Sequence, residues 1–268
     1  MNPLQSSGAR IGAAALALVL AGCSTDGSPQ SSSLTGAQGD LGIATAPYAV
    51  LDLASGTLTT LAAAPDLTDG TLRTSRMLFR RITWSRGDFL IGVFEVTQRQ
   101  WTLLATSQPW ITVPTAVVEV GPKAERPAYN LSYQDILAAL DRYRSTAKAK
   151  LLIPDAEQWQ YACAGGSSGP WSWGSATDQP TIAGNAVVWE THGESLGPQA
   201  VGTRAANAYG LYDMHGNVWE WTKAGASAGL CGGSWSDSFQ LAATTNVSRG
   251  LTPSTSHALA GVRLLLAP

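Results

Sequence analysis

Residues 210–222 read GLYDMHGNVWEWT, and this run limits the fold more than any other. Trp219 and Trp221 alternate at the two-residue period of a strand, which puts both indoles in or beside the core. Gly210 and Gly216 ahead of them suit a tightly wound loop, where backbone freedom is worth its entropy cost. Such a centre needs a rigid, loop-rich setting, and the composition agrees. Gly and Trp are frequent, 28 and 10 of 268 residues, and charged residues make up 13%, about half the usual ~25%. The run also holds His215, Asn217, Asp213 and Glu220. Those groups pose the question of a metal or catalytic site.

Several classes are excluded early. A net charge of −2 favours neither nucleic acid nor anionic lipid headgroups as partners. Three cysteines rule out a dense disulfide scaffold and any four-cysteine zinc site within the chain. The length allows one large domain or two small ones with a sizeable core. No internal repeat is visible.

After Arg10 comes IGAAALALVLAGCSTD, an apolar run of roughly a dozen residues, too short for the ~30 Å hydrocarbon layer. A charged start, apolar middle and small-residue end predict a secretory signal peptide. LAGC, Leu20 to Cys23, resembles the bacterial lipobox, whose cysteine is lipidated and becomes the mature N-terminus; an ordinary secretory signal is the alternative. Acyl chains on Cys23 would anchor the protein stably, and Ser24 after the cysteine points to the outer membrane. The expected organisation is a signal peptide over 1–22, a flexible tether over 23–47 poor in large apolar side chains, and a domain over 48–268. The expected location is the bacterial cell envelope, lipid-anchored and facing the periplasm or the surface.

Within the domain, two apolar runs around Ala54-Ser55-Gly56 predict a hairpin. MLFRRITW and DFLIGVFEV read as strands, being dense in β-branched and aromatic residues. Thr97 with Gln100, Ser132 with Asp135, and Asp155 with Gln158 each place a capping oxygen three residues before an acid or amide, predicting three helix starts. Ile136, Leu140 and Tyr143 then share one face of the second helix, and Trp159 with Ala162 one face of the third. Beyond Cys163 no long helical pattern is visible. The fold class expected is α+β, two main helices on a small, mostly antiparallel sheet with long ordered loops.

IGVFEVTQRQW (91–101), PAYNLSYQDILAAL (127–140), LLIPDAEQWQYACAGG (151–166), PWSWG (170–174), NAYGLYDMHGNVWEWT (207–222), GGSW (232–235) and GVR (261–263) together resemble the signature series of the formylglycine-generating enzyme, or sulfatase-modifying factor, domain family. The resemblance spans about residues 48–268 and implies the family's loop-rich variant of the C-type lectin fold. Catalytic members oxidise a substrate cysteine with two copper-binding cysteines. The first lies three residues after the serine of GGS and the second five further on. Those positions fall on Asp237 and Ala242. Copper(I) selects soft thiolates, so no copper and no formylglycine-generating activity are expected.

The resemblance further implies a structural calcium held by Asn217, the Val218 carbonyl and Glu220, oxygens of the right hardness; the alternative is that both side chains only bond loop backbone. A second family site would involve Asn185, with no matching downstream acid. His215 is expected as a loop histidine near the surface, and Arg263 as a partner of Asp213. Cys163 and Cys231 are either a disulfide suited to an oxidising compartment or two buried small hydrophobes. The expected function is a membrane-tethered, non-catalytic binding or assembly module for an unidentified protein or glycan. The alternative is an oxidative tailoring or maturation enzyme of the same family without the two-cysteine copper site.

Overall fold

The structure, a computed structural model, describes residues 32–33, 42–113, 122–147, 149–193 and 196–267. The signal peptide, Cys23 and most of the tether lie outside the described residues. Residues 42–47, the end of the segment assigned to the tether, turn back onto the domain, with Ile43 buried and the Arg81 guanidinium donating to the Ile43 and Ala46 carbonyls.

The larger sheet has seven strands in the order β1-β3-β2-β4-β5-β11-β6. These are β1 (Ser32–Ser33), β2 (Tyr48–Asp52), β3 (Leu58–Leu61), β4 (Arg76–Ile82), β5 (Phe89–Gly92), β6 (Leu151–Leu152) and β11 (Leu265–Leu266). The hairpin read from the sequence is the β2–β3 pair, with Leu51 opposite Leu58. Asp52 closes its turn by accepting from the backbone N–H groups of Ala54 and Ser55. Gly56 there has φ +71°, and a Cβ would lie 2.6 Å from the Ala147 carbonyl oxygen, so glycine is required for the close approach.

All three capping signals start helices. They open α1 (Gln98–Leu104), α2 (Tyr133–Ala147) and α3 (Ala156–Ala164). Ser132 Oγ accepts from the Asp135 N–H at 3.0 Å, and the Ser132 N–H donates to Asp135 Oδ2 at 3.0 Å. A fourth helix, α4 (Gln179–Asn185), is not legible in the sequence. It is one short stretch capped by Asp178, which accepts from the Thr181 N–H, with Pro180 in its first turn. Seven residues are too few for a visible period.

The centre of the sheet, β2, β4 and β5, is buried on both faces. Leu51, Phe79 and Leu90 pack with Trp101 of α1 and with Ile136 and Tyr143 of α2, as the spacing along α2 predicts. Val50, Leu78 and Ile91 face the other way, onto Trp159, Ala162 and Cys163 of α3. This two-sided burial explains the unbroken apolar stretches Met77-Leu78-Phe79 in β4 and Phe89-Leu90-Ile91 in β5. A second, four-stranded sheet comprises β7 (Trp219–Ala224), β8 (Ser227–Cys231), β9 (Val247–Leu251) and β10 (Ala260–Gly261), in the order β10-β7-β8-β9. Only its β10–β7 pair is parallel. The expected single sheet is therefore two, and β7 carries the second half of the 210–222 run to the boundary between the two cores.

Candidate functional site

Strand β7 begins with Trp219-Glu220-Trp221, and its alternation divides their roles. Both indoles are buried, Trp221 Nε1 donating to the Leu131 carbonyl at 2.9 Å. Glu220 points oppositely and meets Arg263, which is 0% exposed at the side chain. Arg263 uses every N–H it has. Nε donates to both Glu220 oxygens at 3.1 Å, Nη2 to Glu220 Oε1 and the Tyr212 carbonyl at 2.7 Å each, and Nη1 to the Gly92 and Val93 carbonyls at 3.1 and 2.9 Å. Trp159 Nε1 from α3 completes the shell of Glu220 Oε2. One ion pair thus ties β5, α3, the 210–222 loop and β7 together. The partner of Arg263 expected from the sequence is Asp213, and the structure corrects this. Asp213 Oδ2 accepts from the Gly202 N–H at 2.6 Å, while Oδ1 is buried without a hydrogen-bond partner.

The loop ahead of β7 is wound tightly enough to dictate its residues. Gly216 has φ +88°, and a Cβ would fall 2.0 Å from the Val187 carbonyl oxygen. Asn217 follows at φ +59°, a left-handed conformation that Asn tolerates better than most side chains. Its Oδ1 accepts from the Gln199 N–H at 2.9 Å, and its Nδ2 donates to Glu95 Oε2 at 2.6 Å. Glu95 Oε1 takes the Val218 N–H at 3.1 Å. Glu95 is absent from the residues singled out by sequence, although an acid inside the apolar run FLIGVFEV is its signal.

Three buried carboxylates, Glu95, Asp213 and Glu220, therefore share one buried cation. Burial first, then the charges of Asp213 and Glu220, push the Glu95 carboxyl well above the ordinary range. Burial likewise pushes Asp213 up to about 6, against the Gly202 hydrogen bond and the charge of Arg263. The calcium expected on Asn217, Val218 and Glu220 does not fit these residues. The Asn217 oxygen and both Glu220 oxygens are committed to N–H donors, and a divalent cation beside Glu220 would displace or face the Arg263 guanidinium. Asn185 stays within α4, donating to the Thr181 carbonyl at 2.8 Å. No group of three or more metal-ligating side chains occurs among the described residues.

The two positions assigned to the copper thiols lie in the loop after GGSW. Asp237 is half-buried, and its Oδ2 accepts from Trp219 Nε1 at 2.8 Å and from Ser234 Oγ. Ala242 is fully buried in a small core with Trp171, Ile182, Val188 and Phe239. One hard oxygen and one methyl group give copper(I) no soft ligand. The disulfide considered between Cys163 and Cys231 is not formed; both are buried thiols outside any disulfide. Burial raises the Cys163 thiol pKa, so it stays protonated and packs as a small hydrophobe.

His215 is not the surface residue expected. It is 2% exposed. One ring nitrogen, Nδ1, sits 2.7 Å from the Ala242 carbonyl, which can only accept. That contact puts the proton on Nδ1 and leaves Nε2 to accept from the Ser172 N–H at 3.1 Å, with Ser172 Oγ at 3.0 Å. Trp173 packs against the ring at 4.8 Å between centroids, and burial pushes its pKa down to about 4. The neutral imidazole pins the PWSWG loop to the loop bearing Ala242. The 210–222 run is thus chiefly the structural hub of the fold.

The family model of the sulfatase-modifying factor enzyme 1-like domain matches residues 66–268. A formylglycine-generating enzyme of Mycobacterium tuberculosis is 32% identical over 114 residues, 39% of this chain and 35% of that enzyme. The inactive C-alpha-formylglycine-generating enzyme 2 of Bos taurus is 31% identical over 167 residues, 53% of this chain and 51% of that protein. The chain thus spans about a third to a half of the length of these relatives. Among solved structures, Treponema denticola variable protein 1 superposes with a TM-score of 0.62 at 18% identity, over 72% of this chain and 96% of that one, a likeness of fold.

Proposed function

The chain belongs to the family of sulfatase-modifying factor enzyme 1-like domains, and from that membership we propose that it works as a non-catalytic binding or assembly module. The observation that carries the reading is the pair Asp237 and Ala242 at the copper positions. Neither supplies a thiolate, and the thiols of Cys163 and Cys231 are buried elsewhere. A bovine relative carrying the name of an inactive enzyme is compatible with such a role.

The test is an assay of the purified protein on a sulfatase-type cysteine peptide with copper and reductant. No copper-dependent loss of the peptide thiol and no aldehyde are expected. Robust turnover would overturn the reading.

The proposal includes a lipid tether at Cys23 that holds the domain at the outer membrane. No helix among the described residues is long and apolar enough to cross a membrane; in this reading the acyl chains on Cys23 supply the attachment. Cys23→Ser is expected to release the protein from the membrane fraction or to block its processing. Mass spectrometry of wild-type protein showing a cleaved, unmodified N-terminus would refute lipidation.

A further inference from the structure

We propose that the surface around Asp237 binds an alkylammonium group, the end of a lysine side chain on a protein partner. The inference rests on reading the chain as a binding module and names the chemistry that module recognises. It begins with a carboxylate held in place. Trp219 Nε1 and Ser234 Oγ both donate to Asp237 Oδ2, which fixes the orientation of the carboxylate. Both donors act on one oxygen, and no described hydrogen bond occupies Oδ1. Neither Asp237 nor the neighbouring Glu190 makes an ion pair with Lys or Arg among the described residues. Glu190 Oε2 instead caps the Phe239 N–H at 3.0 Å, which places a second carboxylate beside the same loop.

Aromatic rings stand beside these charges. The Trp189 N–H donates to the Asp237 carbonyl at 2.8 Å, so the two residues are backbone neighbours. Trp189 is 57% exposed, and no other tryptophan of the chain is as open. Its indole meets the His192 ring at 4.9 Å, and that ring meets Trp235 at 6.1 Å, both edge-on. An open indole beside a carboxylate with no cationic partner among the described residues offers a cation both a ring and a charge. Ring faces attract ammonium groups, and the carboxylate supplies a charge-assisted hydrogen bond. His257 does not neutralise the site at neutral pH, because burial lowers its pKa against the pull of Asp237.

The test uses n-butylammonium chloride as the lysine side-chain probe. It is titrated at constant ionic strength into the purified, ¹⁵N-labelled protein while the indole N–H resonances of Trp189, Trp219 and Trp235 are followed. Saturable shifts of Trp189 and Trp219 are expected, with none from 1-butanol, the uncharged analogue. Asp237→Asn keeps an acceptor for both donors, so its fold should persist, and it should bind at least tenfold more weakly. Trp189→Ala, a change at an exposed position, should weaken binding independently. Equal saturable shifts with 1-butanol or with methyl glucoside, or undiminished binding by the Asn variant, would overturn the proposal. Formylglycine production would sink the binding-module reading itself. Absence of turnover combined with no butylammonium response would remove only this inference.

Discussion

Arg263→Met is expected to destabilise the domain by about 3–5 kcal/mol, the cost of breaking a buried pair by removing one partner. That is a large part of a typical domain's ~5–15 kcal/mol. The reason is the company Arg263 keeps. All its N–H groups are bonded, to the Glu220 carboxylate and to the Tyr212, Gly92 and Val93 carbonyls. Methionine would strand those carbonyls and leave Glu95, Asp213 and Glu220 buried with no arginine. Glu220→Gln should cost less, because Arg263 would still feel the charges of Glu95 and Asp213. Arg263→Lys should fall between the two, keeping the charge but losing the planar fork. Urea midpoints of the three variants, at constant m-value, give the order. An Arg263→Met loss below about 1 kcal/mol would mean the pair is a bystander.

How legible is this site in the sequence? Its local parts are. A capping oxygen and its acid or amide lie three residues apart, and a helix face repeats every three or four. So Thr97, Ser132, Asp155 and the stripe Ile136, Leu140, Tyr143 can be read from short windows. Strand alternation likewise places Trp219 and Trp221. The partner of Arg263 cannot be read, because Glu220 lies 43 residues away and Asp213 is an equally acidic choice. The register between β7 and its neighbours decides between them, and loops wound by glycine carry no period that fixes register. His215 misleads for the same reason. A histidine before Gly216 in a loop looks solvated until the Ser172 and Ala242 loops close over it. Calcium at Asn217 and Glu220 is what the family resemblance implies, and a resemblance of motif says nothing of whether N–H donors already hold those oxygens. The absence of thiols at Asp237 and Ala242, by contrast, needs only the spacing the family resemblance implies, counted from Ser234.

His215 and Asp213 should give pH dependences of opposite sign, separable by difference. The folded state depresses His215 from 6.5 to about 4, so between those values the unfolded chain binds the proton and the folded domain does not. Stability from keeping the ring neutral is fully present above about 6.5 and is lost as pH falls towards 4. By linkage the loss is about 3 kcal/mol, because each pH unit between the two values contributes about 1.36 kcal/mol. His215→Gln removes that titration and, at pH 7, two hydrogen bonds. Its destabilisation relative to wild type should therefore be largest at pH 7 and shrink by about 3 kcal/mol towards pH 4. Asp213 runs the other way. Its folded pKa is raised from 3.8 to about 6, so its contribution is fully present below 3.8 and is lost as pH rises through 6. Asp213→Asn should thus become less harmful, or turn stabilising, as pH increases across that window. Glu95, also raised, acts in the same sense as Asp213 in every protein carrying it and largely cancels from the His215 difference. Urea unfolding of wild type and the two variants, in half-unit steps from pH 4 to 7, measures both differences. A His215→Gln penalty that stays constant with pH would show that the imidazole is protonated in the fold or open to solvent, and the hub assigned to it would fail.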